Sequence, residues 1–454
     1  MMSMISSRGA GRAAAVALLF SSTFLVAAQA ADDFDPMSQV GPNPVLPEPQ
    51  QYLFPPMHLA KVVGWKPGET PTVAAGLKIE AMATGLQHPR SLYTLPNGDI
   101  LVVESKAPGL EPVKRPKDLV MGWIESITTG GGGEGGESNR ITLLRDANGD
   151  GKPETKSVFL DHLSSPFGVA LVGSDLYVAN TDAIMRYHYN TGDTRITDPG
   201  TRLTELPGGP IDHHWTKSLV ASPDGSMLYA GVGSNSNIAE NGMQAEKDRA
   251  AIWEVDRASG RSRIFATGLR NPNGLTFEPA THALWAVINE RDELGPDLVP
   301  DYMTSVKDGA FYGWPYSYYG QHVDPRVQPQ RPDLVAKAIP PDYALSSHVA
   351  PLGMTFYTAD ALPAKYKGGA FVGEHGSWDR DKFNGYKVVF VPFKDGKPNG
   401  KAEDVVTGFL NKDEAARGRP VGVAVDKAGA LLVADDAGNT VWRVTGAQQT
   451  AAVK

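Results

Sequence analysis

Apolar and polar residues alternate along most of the chain, and the alternation recurs in one repeated phrase. In most copies a Pro step is followed by a small residue, an apolar alternating run, a turn and a second apolar run. The six copies begin at His88, Ser165, His214, Asn271, Val349 and Arg419. A period of two predicts a strand pair joined by a turn. Six such pairs predict an all-β six-bladed β-propeller with antiparallel blades and long inserted loops, and the polar residues that open the copies would converge on one funnel.

The N-terminal residues predict an exported protein. Arg8 and Arg12 precede a small-and-apolar stretch that ends in Ala28-Gln29-Ala30, a typical cleavage site, so we expect residues 1–30 to be a signal peptide and the protein to be periplasmic. An uncleaved membrane anchor is the alternative, but the stretch is short for a span and Ser and Thr residues interrupt it.

The rest of the chain divides into three parts. Residues 31–75 are rich in Pro and predict an extended surface arm. Residues 76–446 hold all six copies and predict one catalytic propeller domain, and residues 447–454 remain as a C-terminal tail.

Charge and composition exclude several classes of function. The 454 residues carry a formal net charge of -8, which argues against nucleic acid as a partner. The chain has no Cys, so thiol catalysis, thiolate metal sites and a covalently attached c-type haem are excluded. No later segment predicts stable membrane insertion, and the usual hydrolase and nucleotide-binding motifs are absent.

Two long insertions interrupt the propeller pattern. Residues 106–139 contain a Gly run that formally matches a dinucleotide-binding motif, but a strand follows it where a helix should begin, so that interpretation fails. Residues 310–343 are dense in Tyr, Trp and Pro, and two interpretations stay open: the wall of a substrate pocket, or rings that cover a blade.

Imidazole and guanidinium groups open three of the copies. His214, with His213 beside it, could take a proton from a hydroxyl near neutral pH. Arg270, followed by Asn271 and Pro, offers a rigid fork of donors for a carbonyl or a carboxylate. The alternative for each residue is an ordinary structural or solvated role, but their equivalent places in the repeats would make them face one another.

Arg417 and Arg419 form a similar pair at the sixth copy. Their spacing of two on an extended segment favours a ligand with several carboxylates, whereas solvation is the commoner fate of such a pair.

Two segments could bind a hard cation. Residues 146–151 resemble the first half of a calcium loop, although the twelfth position is Ser157 instead of Glu, so a calcium hairpin and a plain turn stay equally open. Residues 289–297, with Asp301 after them, are richer in carboxylates, and Gly295-Pro296 would expose backbone carbonyls to a cation in the funnel. A charged surface loop is the alternative.

The phrases together resemble the soluble quinoprotein sugar dehydrogenases, the glucose/sorbosone dehydrogenase family, and most of all its L-sorbosone dehydrogenase-like branch. The resemblance spans residues 77–444 and rests on ordered motifs: HWTKSLVASPDG, GLRNPNGLTF, LGPD with FYGWP downstream, HVAPLGMTFY, GEHGSWDR and GRPVGVAVD. It implies a six-bladed propeller that binds pyrroloquinoline quinone (PQQ) and Ca²⁺.

The resemblance also implies roles for individual residues. His214 matches the catalytic base, with His213 as the fallback, and Arg270 matches the Arg that contacts substrate and the reactive quinone carbonyl. Asn271 matches a cofactor contact. The implied Ca²⁺ ligands are the carbonyls of Gly295 and Pro296, and the implied grip on the PQQ carboxylates comes from Arg417 and Arg419.

Three positions depart from the family pattern. Asp301-Tyr302 stands where the family has an acidic pair, so we count Asp301 as a metal ligand but expect no secure second, structural Ca²⁺ site. His348 stands where glucose-oxidising members have a small hydroxyl residue. The cofactor-contacting Lys of those members has no clean counterpart, and Arg380 is the candidate substitute.

The predicted function is therefore oxidation of an aldose or aldehyde sugar to a lactone or acid. His214 would remove the hydroxyl proton while hydride leaves for PQQ, and electrons would pass to a separate acceptor such as a soluble cytochrome or a quinone. The alternatives are a calcium-dependent propeller lactonase and a non-catalytic propeller that binds sugars or peptides.

Overall fold

The computed structural model describes residues 34–52, 57–108 and 138–447. The predicted signal peptide, most of the Gly-rich insertion and the last seven residues of the tail lie outside the described residues. Residues from Pro36 onward belong to one compact unit. In the described ranges no helix has both the length and the apolar character needed to cross a membrane.

Six antiparallel sheets of four or five strands form the blades of this unit in the described ranges, so the predicted six-bladed β-propeller is confirmed. Blade 1 comprises Pro89–Thr94, Ile100–Glu104, Arg140–Arg145 and Thr155–Leu160. Blade 2 comprises Gly168–Val172, Asp175–Ala179, Ala183–His188 and Thr201–Glu205. Blade 3 comprises Leu219–Ala221, Met227–Val232, Ala251–Asp256 and Ser262–Thr267.

The second half of the propeller repeats the pattern. Blade 4 comprises Asn271–Phe277, Leu284–Asn289, Pro300–Ser305 and Tyr343–Ser347. Blade 5 comprises Pro351–Phe356, Ala370–Glu374, Lys387–Val391 and Glu403–Thr407. Blade 6 comprises Pro420–Val425, Leu431–Asp435, Thr440–Gly446 and, from the other end of the domain, Leu77–Ala83.

The remaining described elements are short. Val40–Gly41 adds a fifth strand to blade 4, and Thr72–Val73 adds one to blade 5. Two ribbons pair Ser317–Tyr318 with His322–Val323 and Phe393–Lys394 with Lys397–Pro398. One α-helical turn covers Pro332–Val335, and 3-10 turns cover Pro36–Gln39 and Ala364–Tyr366.

The small residue in the repeated phrase lets neighbouring innermost strands touch. A Cβ atom on Gly168 would lie 2.4 Å from the backbone nitrogen of Leu219 in blade 3, and one on Gly422 would lie 2.6 Å from the carbonyl oxygen of Arg90 in blade 1. Gly274 makes the equivalent approach to blade 5. Only Gly permits such contacts. They set the six copies in register, so the residues that precede the innermost strands meet at one end of the molecule.

The innermost strands surround a central channel of about 350 Å³, to which all six blades contribute. Near the end where these strands begin, Phe167, Leu352 and Val421 from three different blades form a buried apolar cluster. Phe167 and Leu352 also line the channel, and we call this cluster the floor of the funnel.

Candidate active site

A cavity of about 210 Å³ opens beside this floor, on the side of blades 3, 4 and 5. Four of the residues predicted from the sequence line it: His214, Arg270, Asn271 and Asp301. The other lining residues are His213, Asn289, Glu290, Asp292, His348, Ala350 and Trp378. The expectation that polar residues from separate repeats would meet is therefore met on this side of the funnel.

The His214 imidazole is oriented for proton acceptance. Its Nδ1 lies 2.9 Å from the carbonyl oxygen of Ser234, and because a carbonyl can only accept, Nδ1 carries the proton. In the neutral ring Nε2 then has a free lone pair. Burial lowers the pKa of His214 well below 6.5, and the charges of His213 and Arg270 lower it further, so the ring is neutral near pH 7.

Buried charges hold the loop that carries His214. Asp212 binds Arg249 at 2.9 Å and Lys217 at 3.3 Å. Arg249 also donates to the carbonyl oxygen of His214 at 3.1 Å, and Lys217 donates to that of Trp215 at 2.9 Å. Each of the three charged side chains is at least 94% buried, which makes the loop a fixed platform.

Crowding also fixes His214 from the side of Gly233. A Cβ atom at Gly233 would lie 2.4 Å from Cβ of His214 and 2.5 Å from Oδ1 of Asn271. The neighbouring blades approach there as closely as a backbone without a side chain allows.

Arg270 lies in the wall of the cavity and is 3% exposed. Its guanidinium donates to the carbonyl oxygen of Glu290 at 2.6 Å and pairs with Asp292 at 2.9 Å. Asn271 beside it is buried, and its Oδ1 has no hydrogen-bond partner among the described residues. Arg270 therefore brings a positive charge to the cavity, and Asn271 brings an acceptor that its protein neighbours leave unused.

Three side chains form what we call the candidate cation cluster: Asp292, His348 and Asp379 bring carboxylate oxygens and a ring nitrogen within 4.8 Å of one another, and the two carboxylates are the groups that could bind a cation. Oδ1 of Asp379 is buried without a partner in the described part of the chain. The carbonyl oxygen of Gly295 lies 3.1 Å from Nε2 of His348, which links it to the cluster. The carbonyl oxygen of Pro296 accepts a hydrogen bond from Oγ of Ser347 at 3.4 Å. Carboxylate and carbonyl oxygens are the ligands that Ca²⁺ prefers.

The electrostatics of this cluster are dominated by carboxylates. Burial alone would lower the pKa of His348, but its hydrogen bond to Asp292 and the charges of Asp379, Asp292 and Asp301 raise the pKa to about 9. Burial raises the pKa of Asp379 to about 6 and that of Glu290 to about 7. A cationic ligand would relieve the repulsion among these acids.

Asp301 is held by the backbone. Its two carboxylate oxygens accept from the amides of Glu290 and Ala350, each at 2.7 Å. Burial raises the pKa of Asp301 to about 7. The residue lines the cavity as predicted, but both oxygens already have protein donors, and its role as a metal ligand stays a prediction.

Arg380 is directed into the protein. Its guanidinium pairs with Asp297 at 2.8 Å, binds the hydroxyl of Ser347 and donates to the carbonyl oxygen of Lys382 at 3.1 Å. These contacts place it behind the Gly295-Pro296 segment, outside the cavity lining. Its role as a cofactor contact stays a prediction.

Arg417 and Arg419 do not share a partner. Arg417 pairs with Glu69 of the N-terminal arm at 3.5 Å. Arg419 donates to the carbonyl oxygens of His375 and Gly376 and lies 5.2 Å from the ring centre of Tyr386. The structure thus places Arg419 at the start of the innermost strand of blade 6 and turns Arg417 toward the arm.

Sequence reasoning missed a second basic residue on this side. Arg90 follows the Pro of the first copy and binds Asp436 at 2.5 Å, and Asp436 also contacts His375 Nε2 at 3.1 Å. Arg90 lies 5.6 Å from the ring centre of Trp215. The Trp215 ring in turn makes an edge-to-face contact with Phe167 of the floor. Arg90 follows the Pro of its copy, whereas Arg270 and Arg419 precede theirs, so the position in the repeat that selected those two residues does not find it.

The aromatic insertion mainly covers a blade. Tyr312, Tyr318 and Tyr319 pack in the apolar core of blade 4. Trp314 donates to the carbonyl oxygen of Asn237 at 2.9 Å, the same atom that accepts from Arg270 Nε. The insertion therefore supports the cavity wall from behind.

The calcium-like turn lies far from the cavity, at an outer hairpin of blade 1. Asp146, Asp150 and Glu154 bring carboxylate oxygens within 4.8 Å of one another. Oxygens of Asp146 already accept from the backbone amides of Gly149 and Gly151. Both interpretations of this turn remain open.

The fold and the site define a six-bladed propeller with a buried acid–base cavity in its funnel. The chain belongs to the TrAA12-like family, whose sequence model matches residues 139–306 and 327–447. The resemblance to the soluble PQQ-dependent sugar dehydrogenases is thereby confirmed.

Individual relatives agree with this assignment. The chain is 25% identical over 184 residues to the aldose sugar dehydrogenase YliI of Escherichia coli, covering 37% of this chain and 47% of that protein. It is 24% identical over 363 residues to a PQQ-dependent pyranose dehydrogenase of Coprinopsis cinerea, covering 70% of this chain and 44% of that protein. The chain thus spans less than half the length of these two curated relatives.

Solved structures share the fold. The holo form of the pyranose dehydrogenase PQQ domain from Coprinopsis cinerea superposes with a TM-score of 0.66 at 21% identity, covering 86% of this chain and 100% of that domain. The PQQ-bound aldose sugar dehydrogenase of Streptomyces coelicolor gives 0.53 at 17% identity, covering 82% of this chain and 99% of that one.

Proposed function

We propose that the protein oxidises the hydroxyl carbon of an aldose or aldehyde sugar to the lactone or acid, with PQQ and Ca²⁺ as cofactors. One observation carries the proposal: a neutral imidazole with a free Nε2, a buried Arg and an incompletely bonded carboxylate, that of Glu290, line one cavity. The relatives named above, an aldose sugar dehydrogenase and a PQQ-dependent pyranose dehydrogenase, support this proposal, as does the match to the TrAA12-like family.

The residues present fit both cofactors. Oxygens of Asp379, Glu290 and Asn271 are buried and unbonded within the described ranges, as expected of groups that await a ligand. Asp292, Asp379 and the carbonyls of Gly295 and Pro296 would hold Ca²⁺. Arg419 and Arg90 lie on the opposite side of the funnel, and their guanidinium groups could bind the carboxylates of PQQ. The floor between the two sides of the funnel is apolar and aromatic.

The chain's own residues account for the proton chemistry. His214 Nε2 would take the proton of the substrate hydroxyl, and the bond from Nδ1–H to Ser234 would stabilise the imidazolium that forms. Arg270 would place a fixed positive charge where negative charge develops. When bound, PQQ supplies the two-electron acceptor for the hydride on the same carbon, and Ca²⁺ supplies a Lewis acid that polarises it.

Finer features belong to the same proposal. We propose a sorbosone- or glucose-like substrate because of the motifs, a periplasmic location because of the N-terminal pattern, and a soluble cytochrome or quinone as the electron acceptor. The chain lacks Cys for a covalent c-type haem, which is why we propose a separate acceptor.

Reconstitution tests the proposal. Apo-protein receives PQQ and Ca²⁺ singly and together, then a panel of aldoses and a redox dye. Dye reduction that needs both additions supports the proposal. Lactone hydrolysis without PQQ would replace it with a calcium-dependent lactonase, and sugar binding without either reaction would replace it with a binding propeller.

Variants of two His residues test the base assignment in the same assay. His214→Ala should lower turnover by about 10²- to 10⁴-fold while PQQ still binds, because general-base catalysis has that magnitude. His188→Ala, an exposed His on blade 2, is the matched control and should match the wild type. Near wild-type turnover of His214→Ala would remove the base assignment.

A further inference from the structure

The Pro-rich N-terminal arm passes directly behind the candidate cation segment. The amide of Gln50 donates to the carbonyl oxygen of Leu294 at 2.8 Å, and Cβ of Gln50 lies 3.1 Å from where a side chain on Gly295 would begin. The amide of His58 donates to the carbonyl oxygen of Trp378 at 2.9 Å. The arm is therefore packed against the two segments that carry Asp292 and Asp379 of the candidate cation cluster.

Gln39 makes the most specific of these contacts. Its side chain is fully buried, at 0% exposure, although it is an uncharged polar group in an arm that the sequence places on the surface. Its Nε2 donates to the carbonyl oxygen of Asp297, and its Oε1 accepts from the amide of Ser347 at 3.2 Å. A carbonyl only accepts and an amide N–H only donates, so both ends of the Gln39 amide are uniquely oriented.

These contacts close a ring around the Gly295-Pro296 segment. Asp297 pairs with Arg380 at 2.8 Å, Arg380 donates to the hydroxyl of Ser347, and that hydroxyl lies 3.4 Å from the carbonyl oxygen of Pro296. Gln39 joins Asp297 to Ser347 and so completes the ring. The ring spans the arm, the loop after the second strand of blade 4, the last strand of blade 4 and the loop after the second strand of blade 5.

We propose that Gln39 is a positioning residue that sets the carbonyls of Gly295 and Pro296 for the cation, so that the arm is a working part of the cofactor site. The inference rests on the proposed function for its cofactor. Gln39 touches neither the cavity nor its lining residues, and it acts through Asp297 and Ser347. Side chains that orient ligands from behind typically change metal affinity by about 10- to 100-fold when removed.

The test compares full-length wild type, Gln39→Ala, Gln39→Glu and Gln51→Ala. Gln39→Glu keeps the volume and the acceptor for Ser347 but cannot donate to Asp297. Gln51→Ala removes an exposed Gln from the same arm and is the matched control. Calorimetry measures Ca²⁺ binding to apo-protein, and Trp fluorescence measures PQQ binding with and without Ca²⁺. Circular dichroism checks that each variant is folded at the assay temperature.

Both Gln39 variants should bind Ca²⁺, and PQQ in its presence, about tenfold or more weakly than wild type, while Gln51→Ala stays within twofold. The affinity for PQQ in the absence of Ca²⁺ should change less than the affinity in its presence. A general loss of stability would weaken both affinities alike. Affinities of the Gln39 variants within twofold of wild type would overturn the inference and leave the proposed function intact.

If wild type binds no PQQ, hydrogen exchange of the apo-protein tests the positioning role of Gln39 independently of the proposed function. Gln39→Ala should speed exchange in peptides that cover residues 293–299 and 343–349, but not in blade 2. That result would support the positioning role even if the cofactor assignment fails, and unchanged exchange in both peptides would overturn it.

Discussion

Adding one methyl group at Gly233 should displace His214, the proposed base, without touching the substrate. In Gly233→Ala the new Cβ would lie 2.4 Å from Cβ of His214 and 2.5 Å from Oδ1 of Asn271. Carbon atoms in contact sit about 3.5–4.0 Å apart, so His214 must move by about 1 Å. Cβ of His214 cannot rotate away, because it is bonded to the backbone of the loop that the platform formed by Asp212, Lys217 and Arg249 holds. Oδ1 of Asn271 is the end of a side chain and has no partner among the described residues, so it can turn aside.

That displacement sets the expected magnitude. A shift of about 1 Å at a reacting group costs about 10²-fold in rate, and overpacking costs about 1–3 kcal/mol in stability. We therefore expect kcat of the PQQ- and Ca²⁺-loaded variant to fall about 100-fold, with a small loss of unfolding free energy. Steady-state kinetics with a redox dye and urea unfolding measure the two quantities.

Gly369→Ala is the matched control for crowding. Its new Cβ would lie 2.3 Å from the Phe390 ring and 2.6 Å from the carbonyl oxygen of Val391, away from the cavity. This variant should lose comparable stability and keep a kcat close to that of wild type. A kcat for Gly233→Ala within twofold of wild type, or an equal fall in both variants, would refute the reasoning.

Three further outcomes follow from the charges of the site. Because burial lowers the pKa of His214, the folded protein takes up that proton at a lower pH than the unfolded chain. kcat/KM should therefore fall in buffer more acidic than pH 6.5, apart from any change near pH 7 that comes from the buried carboxyl groups of Glu290 and Asp301. A kcat/KM that shows no fall below pH 6.5 would contradict the assignment. Asp212→Asn leaves two buried cations without their counter-charge and should lower the free energy of unfolding in urea by about 3–5 kcal/mol. Glu205→Gln, in an exposed ion pair, should lower it by less than about 1 kcal/mol. Equal losses in the two variants would contradict the role of the platform. Arg419→Ala should weaken PQQ binding and reduce its dependence on salt in fluorescence titrations, and an unchanged Kd would move the carboxylates elsewhere.

The repeated phrase made much of the fold and one side of the site predictable. Alternation of period two gives strands, and a polar residue at the same place in each copy must reach the same end of the propeller. That reasoning brought His214, Arg270 and Asn271 together correctly. It overlooked Arg90, which follows the Pro of the first copy instead of preceding it.

Contacts between segments that are distant in the sequence could not be predicted. Gln39 and Asp297 lie 258 positions apart, and no local pattern announces that a Pro-rich arm will bury an amide behind a cation segment. The spacing of Arg417 and Arg419 suggested a common partner, but the arm supplies Glu69 to Arg417 alone. The cluster of Asp292, His348 and Asp379 likewise joins loops that have no regular spacing in the sequence.

Single-turnover absorbance of bound PQQ tests the central claim most directly. Wild type and His214→Ala are loaded with PQQ and Ca²⁺ and mixed with an aldose in the absence of an electron acceptor. We predict that the quinone spectrum bleaches in wild type, with one equivalent of sugar oxidised per chain, and persists in the variant although the cofactor stays bound. An unchanged spectrum in fully loaded wild type across the sugar panel, or equal bleaching rates in both proteins, would contradict the account.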